Sequence, residues 1–198
     1  MTDGAPPGQP ALRKDAARNR RRILDAAQAL AREGRPVQLN AVAQAADVGV
    51  GTVYRHFTTP EALVEALAAD QFASLIRLAE QAAEAPDAQR ALRAFLKTAL
   101  TAYLQDEAFA TAATDPHPVT SDIQHLRQRL REEVGGLLAR TAAADALHPT
   151  LNAEDMMLLL CGVGFAIRHA ADQNDPDLPD RYLNALLDGA FADRGASG

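Results

Sequence analysis

Hydrophobic residues recur at every third or fourth position along most of the chain, which is the spacing of one face of an α-helix. The main apolar stripes fall at residues 23–31, 39–46, 63–78, 92–103, 123–138 and 182–191. Residues 156–167 are apolar on almost every side, which predicts a helix with more than one packing partner. With a short helix around 50–57 and a short segment around 107–114, the pattern predicts an all-α protein of about nine helices.

Residues 38–57 predict two short helices joined by a tight turn. The first helix has an apolar face, and Asp47 and Gly49 then supply the backbone conformations that a turn requires. In the second helix Val53 and Phe57 are four positions apart and are expected to face inward. Such a helix-turn-helix leaves the outer face of its second helix free to enter a DNA major groove.

The outer face of this second helix carries side chains suited to reading DNA. Arg55 can donate two hydrogen bonds to guanine O6 and N7, and Thr52 can offer its methyl group to thymine or its hydroxyl to a phosphate. His56 can donate to a phosphate or to a base edge. Two alternatives stay open, since Tyr54 can be a core aromatic and Val50 can be buried. The predicted DNA-contacting residues are Arg22, Gln38, Asn40, Val50, Gly51, Thr52, Tyr54, Arg55 and His56.

The motif resembles a known family. Residues 46–57, Ala-Asp-Val-Gly-Val-Gly-Thr-Val-Tyr-Arg-His-Phe, followed by Pro-Glu-Ala-Leu at 60–63, look like the DNA-binding signature of the TetR/AcrR transcriptional regulators. The match covers roughly residues 18 to 70. It implies an N-terminal three-helix DNA-binding domain joined to a C-terminal helical ligand-binding and dimerisation bundle. It also implies that the Tyr54 ring packs while its hydroxyl reaches the DNA backbone.

Three positions depart from the usual pattern of that family. Asp47 stands where the family has Gly, and Gly49 where it has Ser, and both residues are compatible with the turn. Pro60 stands where Lys is usual, which removes an expected phosphate contact. Thr59 and Pro60 nevertheless make a good helix start, as N-cap and first helical residue. In the family, ligand binding tilts the helix that begins here and changes the separation of the two recognition helices, and the resemblance implies the same for this chain.

The formal net charge of −6 is unevenly distributed. Residues 13–57 contain nine basic and four acidic residues, a net charge of +5, so the remainder carries −11. This asymmetry predicts an N-terminal module that meets phosphates and an acidic body that does not. We therefore expect a flexible basic arm at 1–16, the helix-turn-helix domain at 17–62, and a helical effector-binding and dimerisation domain at 63–194.

The body is predicted both to dimerise and to hold a ligand. A helix from Asn152 to about Gln173 has more apolar surface than one core can cover, so part of it is expected to meet a second chain, with Gly162 and Gly164 permitting close approach. The predicted dimer interface is Leu159, Val163, Ile167, Tyr182, Leu186 and Leu187. The predicted effector pocket is Tyr103, Phe109, His117, Arg127, Met157, Cys161 and Phe165, with core or surface positions as the alternative for each.

Nothing in the sequence indicates catalysis, a cofactor or a metal site. The five histidines include no pair with the spacing of a zinc helix, and no Gly-rich phosphate loop is present. The single cysteine, Cys161, lies in the most apolar run, where an inert thiol is expected, and it fits a reducing, cytoplasmic compartment. No apolar run is long enough to span a bilayer, and residues 1–10 lack the apolar core of a signal peptide.

The sequence thus predicts a homodimeric transcriptional repressor that binds a pseudo-palindromic double-stranded DNA operator and is released by a small molecule. It predicts neither an enzyme nor a membrane protein. Two alternatives stay open: a ligand-blind DNA-binding dimer, and a small-molecule-binding protein or enzyme with a vestigial DNA-binding head.

Overall fold

The computed structural model describes residues 9–143, 151–172 and 175–190, with side chains from residue 14 onward. Over these ranges the backbone is helical without a β-strand, which confirms the predicted fold class. The helices are α1 (Gln9–Arg32), α2 (Leu39–Ala45), α3 (Val50–His56), α4 (Pro60–Ala83), α5 (Ala88–Gln105), α6 (Glu107–Thr114), α7 (Ser121–Ala143), α8 (Ala153–Arg168) and α9 (Leu178–Ala190). They form two compact units, which divide after Leu67, inside α4.

The first unit has a small core of its own. Ile23 and Leu30, two turns apart on α1, are buried as predicted. They belong to one hydrophobic cluster with Val42 of α2, Val53 of α3 and Leu63 from the start of α4. Each short helix therefore buries one side and leaves the opposite side exposed.

Two helix limits differ from the prediction. Helix α1 begins at Gln9 rather than near Ala17, so residues 9–16, predicted as part of an arm, are helical. Ala, Arg and Lys favour helix without any apolar stripe, which is why periodicity missed this extension. Helix α8 ends at Arg168 rather than near residue 173.

The division between the units also lies later than the boundary predicted after Ala62. Leu63 is fully buried in the core of the first unit, so the start of α4 belongs to that unit. Residues 1–8 of the predicted arm and 191–194 of the predicted body lie outside the described residues.

The second unit packs around α5, which contains the apolar stripe predicted at residues 92–103. Asp87 caps its first turn by accepting a hydrogen bond from the Arg90 N–H at 2.9 Å. Phe72 of α4 and Phe109 of α6 meet edge to face, with ring centroids 4.8 Å apart. The buried residues of α5 are Leu92, Phe95, Leu96, Ala99, Leu100 and Tyr103.

Helix α8 begins with the predicted cap at Asn152. The Asn152 side chain accepts from the N–H groups of Glu154 and Asp155, at 2.8 and 3.0 Å. The Asp155 carboxylate in turn accepts from the Asn152 N–H at 3.2 Å, which completes a capping box. The cap gives the most apolar helix of the chain a defined start.

Helix α8 comes very close to Tyr103 of α5 at Gly164. A Cβ atom at this glycine would lie 2.3 Å from Cδ1 and 2.6 Å from Cε1 of the tyrosine ring. Arg168, one turn later, covers the same ring with its Cζ 5.0 Å from the centroid, and donates to the Tyr103 carbonyl. The prediction that Gly164 admits a second chain is wrong, because it admits an aromatic ring of its own chain.

Replacing Gly164 by Ala should lower the free energy of unfolding by about 1–3 kcal/mol, because the added methyl group overlaps a buried ring. Gly136→Ala is the matched control, since Gly136 is exposed in α7 and an added Cβ has no neighbour within 4 Å. Alanine should stabilise that position by up to about 1 kcal/mol. Urea unfolding followed by circular dichroism measures both variants, and equal stabilities would contradict the close approach at Gly164.

Candidate nucleic-acid interface

Helices α2 and α3 are joined by a turn in which one residue is left-handed. Asp47 has a φ of 50°, a region that Asp tolerates better than most residues other than glycine. Gly49, predicted to share this role, is instead extended, with φ −63° and ψ 139°, and is the N-cap of α3. The reversal at Asp47 therefore sets the path of the chain into α3.

Arg22 of α1 contacts this turn. Its Nη2 donates to the Asp47 carbonyl at 3.0 Å and lies 3.6 Å from the carboxylate Oδ2. Because the carboxylate is fully exposed, the ion pair itself stabilises little, and the bond to the carbonyl is the better-defined contact. Arg22, predicted to contact DNA, thus lies beside the motif with part of its guanidinium engaged by the turn.

The two faces of α3 separate as predicted. Val53 is fully buried, and Phe57, immediately after the helix, is 4% exposed. On the outer face Val50 is 45% and Tyr54 48% exposed, so neither is a core residue and both buried alternatives are excluded. Among the other predicted contact residues, Gln38, Asn40, Gly51 and Arg55 are exposed, and Thr52 and His56 are half-buried.

Arg55 lies folded back along α3 toward its first turn. Its Nε donates to the Gly51 carbonyl at 3.1 Å, and its Nη2 donates to Oγ1 of Thr52 at 3.1 Å. These partners are four and three residues earlier, which are the positions that a helical side chain reaches. Three of the predicted contact residues therefore form one hydrogen-bonded group, which the sequence did not indicate.

Basic residues of α1 place positive charge in the same unit. Arg21 pairs with Asp25 at 3.0 Å, an exposed pair that neutralises part of this charge. Arg20 lies over the ring of Phe57, with its Cζ 5.4 Å from the centroid. Phe57, which directly follows α3, therefore contacts α1.

The predicted effector-pocket residues do not all share one site. Phe109 is in the core of the second unit, and Met157 is half-buried against it. His117 is exposed, and Phe165 is 58% exposed and stacks on His169 with centroids 4.0 Å apart. His117, predicted as a possible polar anchor, and Phe165, predicted as a pocket wall, both lie on the surface, which is the alternative that the sequence left open for each.

Of the remaining three, Cys161 interacts electrostatically with Arg127 and with Tyr103. Burial raises the pKa of the Cys161 thiol to about 11, and the positive Arg127 opposes this only in part. Burial also raises the pKa of Tyr103, with Cys161 adding to the shift and Arg168 opposing it. Arg127 also donates to the Asp115 carbonyl at 2.5 Å. The thiol stays protonated at neutral pH, so Cys161 is not an activated nucleophile.

Helices α8 and α9 form an open apolar groove with a volume of about 780 Å³. Four predicted interface residues line it: Leu159, Val163, Tyr182 and Leu186. Ile167 and Leu187 do not, because they are 8% and 0% exposed within the core of their own chain, and their prediction as interface residues is wrong. Leu158, which the prediction omitted, also lines the groove and is 59% exposed.

In the part of the chain that the structure describes, no three His, Cys, Asp or Glu side chains are arranged to hold a metal ion. No helix within those ranges has the length and apolarity needed to cross a membrane.

Two family models match the sequence. The model described as "Bacterial regulatory proteins, tetR family" matches residues 23–67, and "Transcriptional regulator SbtR-like, C-terminal domain" matches residues 86–190. The first match includes α2, the turn and α3, and the second includes α5 to α9. No curated protein matches the sequence significantly.

Solved structures share the architecture. A TetR transcription regulatory protein from Mycobacterium vanbaalenii is 27% identical, with a TM-score of 0.52 over 91% of this chain and 99% of that one. A TetR transcriptional regulator from Streptomyces coelicolor is 28% identical, with a TM-score of 0.51 over 87% and 98%. The transcriptional regulator FadR from Bacillus subtilis, in complex with stearoyl-CoA, is 17% identical with a TM-score of 0.59 over 85% and 97%, a likeness of fold alone.

Replacing Asp47 by Ala should lower the free energy of unfolding by about 1 kcal/mol, because alanine lacks the local polar interactions that ease a left-handed backbone. Asp47→Gly is the matched control, since it also removes the carboxylate but adopts this conformation freely. Urea titration of the two variants measures the difference. Identical unfolding midpoints for Ala and Gly would contradict the left-handed turn.

Proposed function

Because the chain belongs to the TetR family of bacterial transcriptional regulators, we propose that it is a homodimeric, sequence-specific DNA-binding repressor released from its operator by a small molecule. The exposed outer face of α3 is the observation that carries this proposal. It presents a guanidinium at Arg55, a phenol at Tyr54 and an apolar side chain at Val50, all exposed. These groups suit a guanine edge, a phosphate and a thymine methyl group.

The charge of the first unit supports contact with DNA. Residues 13–57 carry a net charge of +5 within a chain of −6, and Gln38 and Asn40 are exposed at the start of α2. Positive charge attracts the phosphate backbone whatever the sequence, whereas base-edge donors such as Arg55 give specificity. The proposed interface therefore combines α3 in the major groove with phosphate contacts from α2 and α1.

Dimerisation is proposed through the groove of α8 and α9. Its lining is apolar, and Leu158 and Leu159 are 59% and 44% exposed, an arrangement typical of a surface that another chain covers. A two-fold dimer would place two copies of α3 about one helical turn of DNA apart, roughly 34–36 Å. The proposed operator is accordingly pseudo-palindromic.

The effector is proposed to bind inside the second unit. The Cys161 thiol there interacts electrostatically with the Arg127 guanidinium and with the Tyr103 phenol, among apolar neighbours. Helix α4 contributes Leu63 to the core of the first unit and Phe72 to the core of the second. A single helix shared by two cores is a suitable element to carry an effector-induced change to the DNA-binding helices.

Selection of bound duplexes from a random pool should enrich a two-fold-symmetric site. Arg55→Ala should weaken binding to that site by about 1–3 kcal/mol and relax the base preference at one position in each half-site. The selection is repeated at two salt concentrations, because phosphate contacts alone weaken steeply with salt. No enrichment at either concentration would contradict the proposed function, and an equal loss on every sequence would make Arg55 a phosphate contact.

Leu159→Glu should convert the dimer to a monomer, because it places a charge in an apolar interface. Binding to the two-fold site should weaken by roughly 100-fold or more once the half-sites are no longer bound together. Ala94→Glu adds the same charge at an exposed position of α5 and serves as the control. Analytical ultracentrifugation reports the mass; a Leu159→Glu variant that stays dimeric would place the interface elsewhere.

A further inference from the structure

The hydrogen bonds of Arg55 leave one particular edge of its guanidinium available. We propose that Thr52 is a positioning residue for Arg55: its hydroxyl holds the guanidinium so that the opposite edge reads one guanine in each half-site. The inference rests on the proposed function, because it assumes that α3 lies in the major groove. It gives Thr52 a role that acts through another side chain rather than through a base or phosphate of its own.

The geometry of the guanidinium carries the argument. An arginine has five N–H donors in a rigid plane: one on Nε and two on each Nη. In this structure the Nε–H donates to the Gly51 carbonyl and one Nη2–H donates to Thr52 Oγ1, each at 3.1 Å. Both bonds use the side edge of the plane. The outer edge, formed by Nη1 and the second Nη2–H, remains as a two-donor fork.

A two-donor fork matches one base in the major groove. Guanine presents two acceptors there, O6 and N7, and a bidentate arginine pairs with both. Adenine presents one acceptor beside a donor, which the fork does not match. The free edge of Arg55 is therefore selective for guanine as long as the side edge stays engaged.

Thr52 is suited to hold the side edge. The Gly51 carbonyl is fixed by the helix backbone, but one bond alone leaves the long arginine side chain free to rotate about it. Thr52 is half-buried and β-branched, so its hydroxyl has few alternative positions. The hydrogen bond to Thr52, added to the bond to Gly51, orients the guanidinium plane before the protein binds DNA. This reduces the conformational entropy that Arg55 loses on binding.

Direct contact of Thr52 with DNA is the competing explanation. A threonine methyl group can contact thymine, and its hydroxyl can bond a phosphate. A thymine contact would set the preference at a different base position from the guanine, and a phosphate contact would weaken binding to all sequences alike. The positioning role therefore predicts a loss of preference at the guanine, whereas direct contact predicts a loss of preference at another base or a uniform loss of affinity.

The test compares Thr52→Val with Thr52→Ser. Valine has the shape of threonine without the acceptor, whereas serine keeps the hydroxyl and loses the methyl group. Binding of each full-length variant is measured on the selected duplex and on three duplexes in which the guanine read by Arg55 is replaced symmetrically. Thr52→Val should reduce the preference for guanine by roughly 2- to 10-fold, the effect of one hydrogen bond. Thr52→Ser should keep most of that preference.

A double variant isolates the coupling. In the Arg55→Ala background, Thr52→Val should have no further effect at the guanine position, because the two residues act as one unit. Thermal unfolding of each variant checks that the fold is intact, which is expected because Thr52 is not a core residue.

Three results would overturn the inference. One is an unchanged guanine preference in Thr52→Val, another is an equal loss in Thr52→Ser, and the third is the same Thr52→Val effect without Arg55. If the parent protein itself selects no two-fold-symmetric duplex, the proposed function fails instead, so the two failures are distinguishable.

Discussion

The first unit depends on how a seven-residue helix with a single buried side chain is kept in position. Within α3 only Val53 is buried, so packing along the helix restrains it little. Its position is fixed mainly at its ends: by the left-handed turn at Asp47 before it, and by buried Phe57 after it. Arg22 and Arg20 of α1 contact these two points, the carbonyl of Asp47 and the ring of Phe57. Because the restraint acts at the ends, the outer face of α3 takes no part in packing and stays available for recognition.

Helix α8 divides the second unit into an inner and an outer surface. On the inner side, Gly164 lets the helix approach Tyr103 so closely that a methyl group would overlap the ring. On the outer side, Leu158 and Leu159 remain exposed along the groove with α9. A helix that is apolar on all sides is stable only if both of its surfaces are buried against other residues. Its own core covers the first, and the proposed dimer would cover the second.

Periodicity predicted the helices well where apolar residues and caps coincide, as in α5, which follows the Asp87 cap. It failed for the start of α1, where Ala, Arg and Lys sustain a helix without an apolar face. It could not say which side of α8 faces inward, and so it placed Ile167 in an interface although that residue is in the core. The DNA-contacting residues remain a prediction from side-chain chemistry, whereas the hydrogen bond between Arg55 and Thr52 depends on side-chain conformations that residue spacing does not contain.

Methylation interference shows whether the outer face of α3 reads DNA bases. Dimethyl sulfate methylates guanine at N7 in the major groove, and the duplex selected by the protein is treated before binding. If α3 reads bases, methylation of one guanine in each half-site, the two related by the two-fold axis, should block binding of the parent protein but not of Arg55→Ala. Base reading by α3 would be contradicted if no methylated guanine interferes with binding, or if the same guanines interfere equally with the Arg55→Ala variant.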